Sequence, residues 1–118
     1  MRTSSFKLNP ILKNQIGKTF AQLICDIRSP KEADTFLKVF FNKSEYETFI
    51  KRMAVAYWLK NNRSYSNIKT NLKISSATIA SIQNTLDSEG IKIALKKIEI
   101  EEWANIWAEK INKILKGK

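Results

Sequence analysis

Apolar residues recur at intervals of three and four along most of the chain, which is the period of a helix that buries one face. The first such stretch follows Asn9-Pro10, a cap residue and a proline suited to the first helical position. It continues to about Ile27, so the pattern predicts a first helix over residues 10–27. Residues 1–8 show no such period and are expected to form a loose arm.

Two capping boxes predict the next two helices. In Ser29-Pro30-Lys31-Glu32 and in Ser44-Glu45-Tyr46-Glu47, a serine precedes a glutamate by three residues, so that each side chain can bond the other's backbone N–H. They predict helices running to about Phe41 and about Lys60. The third helix is apolar around more than half of its circumference, and we expect it to be the most buried one.

Residues 63–86 contain two short helical patterns with almost no chain between them. Ser64 and Ser75 stand where the two helices need N-caps, and Lys73-Ile74-Ser75 is a very short turn. Helix, short turn and second helix is the outline of a helix-turn-helix. Plain helical corners share this outline, so the shape alone does not establish a function.

A last helix is predicted over residues 91–116, with a break near residues 98–101 compatible with the pattern. Gly90 is expected to close the preceding helix in the left-handed conformation. Interspersed acidic residues and two tryptophans favour packing against another helix over lying on a membrane. The apolar stripe comprises Ile100, Trp103, Ile106, Trp107, Ile111, Ile114 and Leu115.

Composition narrows the class of protein. With 118 residues, 43% of them hydrophobic, three Gly and two Pro, the chain fits one all-α domain. It has no His and one cysteine, Cys25, which we expect to be buried, and it has no catalytic or metal-binding constellation. We therefore expect neither an enzyme nor a metal site. No long apolar run or signal-peptide core is present, which favours a reducing, cytoplasmic location without membrane association.

Charge points to a polyanionic partner. Residues 48–86 contain no Asp or Glu but six cations, whereas a solvated helical surface normally mixes both signs. A region of one sign suits nucleic acid, although basic residues also serve solubility.

The chain resembles the tryptophan-repressor family. The resemblance rests on residues 52–59, which contain Arg52 and the pair Val55-Ala56, on residues 65–68, on Ser75-Ser76-Ala77-Thr78-Ile79, and on Gly90. It covers about residues 16–90. It implies an all-α fold of about six helices in which the N-terminal helices of two chains interlock into a homodimer, and each side of that dimer carries a helix-turn-helix head.

Two departures from the family pattern have consequences. Lys73 stands where this branch of the family has glycine, and a left-handed lysine costs about 1–2 kcal/mol, so we expect a turn of different shape. Ser81 replaces an arginine that, together with the one matching Arg52, holds the tryptophan carboxylate in the tryptophan repressor. A charge-assisted bond worth about 1.5–3 kcal/mol would be lost, so we expect no cofactor and doubt tryptophan as co-repressor.

The resulting hypothesis is a repressor-like transcriptional regulator that binds double-stranded DNA as a homodimer, with residues 76–88 as the recognition helix in the major groove. Within a single domain over 1–118, we expect a dimerisation core at 9–60, the helix-turn-helix at 64–88 and a helical extension at 91–116. The residues predicted to face the bases are Ser76, Ala77, Ala80, Ser81, Gln83 and Asn84. Those predicted to contact phosphates are Lys51, Arg52, Lys60, Arg63, Ser64, Lys69, Lys73 and Ser75.

The alternative is a helical protein–protein interaction module that uses the Trp-bearing C-terminal helix. The operator, any small-molecule effector and the direction of regulation are not encoded in a recognisable pattern.

Overall fold

The computed structural model describes residues 7–116, apart from the side chains of Trp103, Trp107 and Lys116. In this range the chain forms six helices and no strand, which confirms the all-α prediction: α1 Pro10–Asp26, α2 Pro30–Phe40, α3 Lys43–Lys60, α4 Tyr65–Leu72, α5 Ser76–Gln83 and α6 Glu89–Lys116. The backbone divides into two compact units, the first ending at Tyr46 and the second beginning at Glu47. The predicted loose arm at residues 1–8 lies largely outside the described residues.

The caps of α1 and α2 are those that the sequence predicts. The side-chain oxygen of Asn9 accepts hydrogen bonds from the backbone N–H groups of Ile11 and Leu12, at 2.9 and 3.2 Å. Ser29 Oγ accepts one from the N–H of Glu32 at 3.1 Å. Because each cap satisfies donors that the helix itself leaves unpaired, the helix start is fixed locally.

Helix α3 begins one residue before the predicted Ser44 cap. Its capping box is formed by Asn42 and Glu45 instead: the Glu45 N–H donates to Asn42 Oδ1 at 2.8 Å, and the Asn42 N–H donates to Glu45 Oε1 at 3.0 Å. Asparagine caps a helix as well as serine does. Asn42 precedes Glu45 by three residues, so this pair has the spacing that a capping box requires. The prediction of Ser44 as the cap is wrong.

The core of the second unit lies where α3 meets the helix-turn-helix and α6. Val55, Ile68 and Ile79 are fully buried, and Ala56, Ile82 and Leu95 nearly so. Only the second half of α3 enters this core. Its first half leaves Phe49, Ile50 and Met53 between 42% and 53% exposed. Helix α3, expected to be the most buried one, thus contributes two buried residues, Val55 and Ala56, the same number as α5.

Helix α1 contributes no buried residue to the first unit. Its aromatic contact is with α2, where the rings of Phe20 and Phe40 lie 5.6 Å apart. Cys25 is exposed, contrary to prediction. The apolar run around it was correctly assigned to a helix, but within one chain that helix has too little cover to bury the thiol.

The recognition helix ends earlier than predicted, at Gln83 rather than near residue 88. The hydroxyl of Thr85 donates to the Ile82 carbonyl and that of Ser88 to the Thr85 carbonyl, both at 2.6 Å. Such side-chain bonds compete with helix continuation and favour a turn. Gly90 is consequently the second residue of α6, and it does not have the left-handed conformation predicted for it.

Helix α6 runs unbroken for 28 residues, so no break occurs near residues 98–101. Leu95 is buried and Ile91 and Ile98 pack against the core, whereas Ile100, Ile111 and Ile114 are 51–63% exposed. The predicted packing of the stripe is thus not found among the described side chains, which exclude Trp103 and Trp107. No described helix has the length and hydropathy needed to cross a membrane.

Lys73 adopts the left-handed conformation, with φ 55° and ψ 53°, so the expected change in turn shape is wrong.

We predict that Lys73→Gly raises the free energy of unfolding by about 0.5–1 kcal/mol, because relief of about 1–2 kcal/mol of strain exceeds the added entropy of the unfolded chain. Urea unfolding followed by circular dichroism measures the change. Asn62→Gly, at a φ of 63°, is the matched control and should gain less, since asparagine tolerates this conformation. A loss of stability in Lys73→Gly would contradict the prediction.

Candidate nucleic-acid interface

The helix-turn-helix is built by two serine caps and a three-residue turn. Ser64 Oγ accepts a hydrogen bond from the Asn67 N–H at 3.1 Å, and Ser75 Oγ accepts one from the Thr78 N–H at 3.2 Å. Both predicted N-caps are therefore present. The two helices pack against each other, with Ile68 of α4 and Ile79 of α5 in the core. This burial fixes which side of α5 faces outward.

The outward side of α5 is narrow and uncharged. Ile79 and Ile82 face the core, while all six residues predicted to face the bases are exposed. Gln83 is the last helical residue and Asn84 is the C-cap, so both amides lie at the far end of the short helix. Nothing in the chain itself tests whether these residues contact bases, and that assignment stays a prediction.

Four of the predicted phosphate-binding cations have partners within the chain. One of them is Arg52, whose guanidinium lies 5.5 Å from the centre of the Phe49 ring. Lys51 Nζ lies 3.0 Å from Glu47 Oε1, one turn earlier on α3. Lys60 Nζ lies 3.3 Å from Glu99 Oε1 on α6. The guanidinium of Arg63 stacks over the Trp58 ring at 4.1 Å and approaches Asn67 Oδ1 at 3.4 Å. These contacts hold the cations in place but leave them exposed on one side.

The other cations lie nearer the turn. Lys69 and Lys73 are exposed and form no ion pair in the described part of the chain. Lys73 joins Lys51 and Arg52 around a cleft of about 260 Å³ that Ile74 and Thr78 also line. The structure therefore brings together, beside the start of α5, three cations that come from two separate segments of the sequence.

Tyr57 and Glu102, which were not among the predicted site residues, connect α6 to the end of α3. The Tyr57 hydroxyl donates a hydrogen bond to Glu102 Oε2. This bond, with a smaller contribution from burial, raises the pKa of Tyr57 above its ordinary value. In the sequence, this contact between α3 and α6 was indicated only by the positions of Glu99 and Glu102, which share a helical face with Leu95 and Ile98.

A cavity of about 710 Å³ lies between α3, α5 and α6. Its lining is mainly apolar, with Met53, Leu95 and Ile98 among its walls, and Arg52 is its one charged residue. Ser81 lines this cavity as well as being exposed on α5. The side chain that was predicted to face DNA bases thus also borders this cavity.

Two short helices that are joined by a tight turn, pack through Ile68 and Ile79 and are accompanied by cations define a helix-turn-helix protein. The chain belongs to the Trp repressor family: the family model described as Trp repressor protein matches residues 16–99, well over half of the chain. Comparisons with curated proteins and with solved structures each gave no match. The resemblance inferred from the motifs is confirmed. The family indicates a DNA-binding regulator of transcription rather than an enzyme.

Proposed function

We propose that the protein is a sequence-specific, repressor-like regulator that binds double-stranded DNA as a homodimer and acts in the cytoplasm. The observation that carries the proposal is the exposed, slim face of α5 beside the cations of α3 and the turn. A helix with small outward side chains can approach the floor of the major groove closely. The cations would lie along the flanking phosphates.

Recognition would combine few direct contacts with shape. Asn84 or Gln83 can form a bidentate bond with adenine, and Ala77 or Ala80 can contact a thymine methyl group. The serine hydroxyls would bond bases directly or through water. With no Arg or Lys on the outward face of α5, specificity would depend strongly on DNA deformability, while Lys69 and Lys73 fix the register on the backbone.

The homodimer is supported by the exposure of the first unit. Leu12, Ile16 and Leu23 form a stripe along α1, yet each is between 45% and 51% exposed. A helix that has such a stripe but no buried residue is stabilised when a second surface covers it, by about 25 cal/mol for each Å² of apolar surface buried. A second copy of the same chain would supply that surface in the interlocked arrangement that the resemblance to the family implies.

Selection of bound duplexes from a random pool tests the proposal. We expect an enriched motif with two-fold symmetry and half-sites roughly 34 Å apart, one helical turn of DNA. Enrichment of a single asymmetric site, with the protein monomeric by sedimentation, would contradict the homodimer. If no sequence motif were enriched among the bound duplexes, specific recognition would be contradicted.

We also propose that tryptophan is not a co-repressor of this protein. Arg52 is the one cation among the described residues that line the cavity. Ser81 stands where the resemblance to the family implies a second arginine. We predict that saturating tryptophan changes neither the DNA affinity nor the thermal stability of the wild type. Ser81→Arg should strengthen tryptophan binding about 10-fold to 100-fold, as measured by calorimetry. The control is Ser76→Arg, which adds the same charge away from the cavity lining. Stoichiometric tryptophan binding by the wild type would contradict this.

A second candidate function, a protein–protein interaction module, is favoured by the apolar stripe of α6. Ile100, Ile111 and Ile114 remain exposed on a helix that extends beyond the core. The test is a double variant, Ile111→Ser with Ile114→Ser, which leaves the described core untouched. Unchanged DNA binding together with loss of a regulatory phenotype in cells would support this function. If the double variant kept both its DNA binding and the regulatory phenotype, this function would be contradicted.

A further inference from the structure

One face of α6 is apolar where it meets the core and acidic further along the helix. Leu95 and Ile98 lie on it and contact the core, and Glu99 and Glu102 follow at helical spacing on the same face. The acidic residues therefore begin where this face leaves the core and reaches the last turn of α3.

At that last turn the two glutamates have two partners. Glu99 Oε1 lies 3.3 Å from Lys60 Nζ, and Glu102 accepts the hydrogen bond of the Tyr57 hydroxyl. Tyr57 and Lys60 are one turn apart on α3, as Glu99 and Glu102 are on α6. The Tyr57 bond holds α6 in register, so that the carboxylate of Glu99 is already positioned beside the ammonium of Lys60.

Lys60 is one of the cations expected to contact a DNA phosphate. A carboxylate and a phosphate oxygen compete for the same ammonium, and the side chains of Lys60 and Glu99 are 45% and 48% exposed, so the pair is open to exchange. The Lys51–Glu47 pair differs because both partners lie on α3. Among the residues that the structure describes, the Lys60–Glu99 pair is the one ion pair that joins a phosphate-binding candidate to a different helix.

We propose that Glu99 acts as a built-in competitor for DNA: α6 holds its carboxylate against Lys60 and so restrains the affinity of the helix-turn-helix for the phosphate backbone. The inference rests on the proposed DNA-binding function and adds a regulatory contact to it. A change that draws α6 away from the end of α3 would release Lys60 and strengthen DNA binding.

The test compares Glu99→Gln with Glu101→Gln in the full chain, using fluorescence anisotropy on one duplex obtained by selection. Both variants remove one negative charge from α6, and Glu101 is exposed and forms no ion pair in the described part of the chain. We expect Glu99→Gln to bind about 2-fold to 5-fold more tightly than Glu101→Gln. Its plot of log affinity against log salt should steepen by about 0.9 for each additional phosphate contact.

A double-mutant cycle with Lys60→Gln identifies the partner. In the Lys60→Gln background, Glu99→Gln and Glu101→Gln should have equal effects, because the ammonium for which Glu99 competes is gone. Equal affinities of Glu99→Gln and Glu101→Gln, with steep salt dependence retained in the wild type, would overturn the competitor role and leave the proposed function standing. Absence of salt-dependent DNA binding in every variant would overturn both.

Discussion

Simultaneous reversal of Lys60, Arg63, Lys69 and Lys73 to glutamate should lower the affinity for duplex DNA at least about a thousandfold. If four phosphates are neutralised by each protomer, the released counterions supply most of the binding free energy at physiological salt. Reversal removes these contacts and adds repulsion at the same places. Anisotropy titrations on the selected duplex, at constant ionic strength, measure the loss.

The matched control reverses four lysines of α6, namely Lys92, Lys96, Lys97 and Lys113. This variant has the same net charge, so a difference between the two reports position rather than total charge. We expect the control to keep its affinity within about tenfold, since charges distant from the DNA are screened over about 8 Å at physiological salt. Equal losses in the two variants would show that the cations near α5 have no special role.

The second large effect is expected in the core of the helix-turn-helix. Ile79 is fully buried in α5, where it holds the recognition helix against α3 and α4. Ile79→Ala should lower the free energy of unfolding by about 2–5 kcal/mol, the cost of lost burial plus the cavity that remains. This is a large share of the roughly 5–15 kcal/mol that stabilises a typical domain. Urea unfolding followed by circular dichroism measures it.

Ile93→Ala is the control for this prediction. Ile93 lies on α6 and is 49% exposed, so the same truncation should cost well under half as much as at Ile79. Equal costs at the two positions would contradict the assignment of Ile79 to the core, and with it the orientation of the outward face of α5.

Features set by local chemistry were predictable from the sequence. Asn9, Ser29, Ser64 and Ser75 cap helices because each places an oxygen beside unpaired backbone donors within three residues. The apolar spacing of residues 63–86 predicted two short helices, and the structure buries Ile68, Ile79 and Ile82 on them. Local rules were insufficient where two caps were possible, as at Asn42 and Ser44, and where the hydroxyls of Thr85 and Ser88 end α5 early.

Features that depend on residues distant in the sequence were not predictable. The stretch of residues 48–86 contains six cations and no acidic residue, yet Glu99, far along the chain, pairs with Lys60. Charge patterning along a chain does not reveal which helix lies beside which. Cys25 was predicted to be buried because its neighbours are apolar, but burial depends on what covers α1, and no residue of that helix is buried within one chain.

The central claim is that the exposed face of α5 and its cations bind duplex DNA as a symmetric pair. The most direct test is the slope of log affinity against log salt for the wild-type protein on the selected duplex. Four phosphates for each protomer and about 0.9 for each phosphate predict a slope of about −7. An affinity that barely changes between low and high salt would contradict the claim.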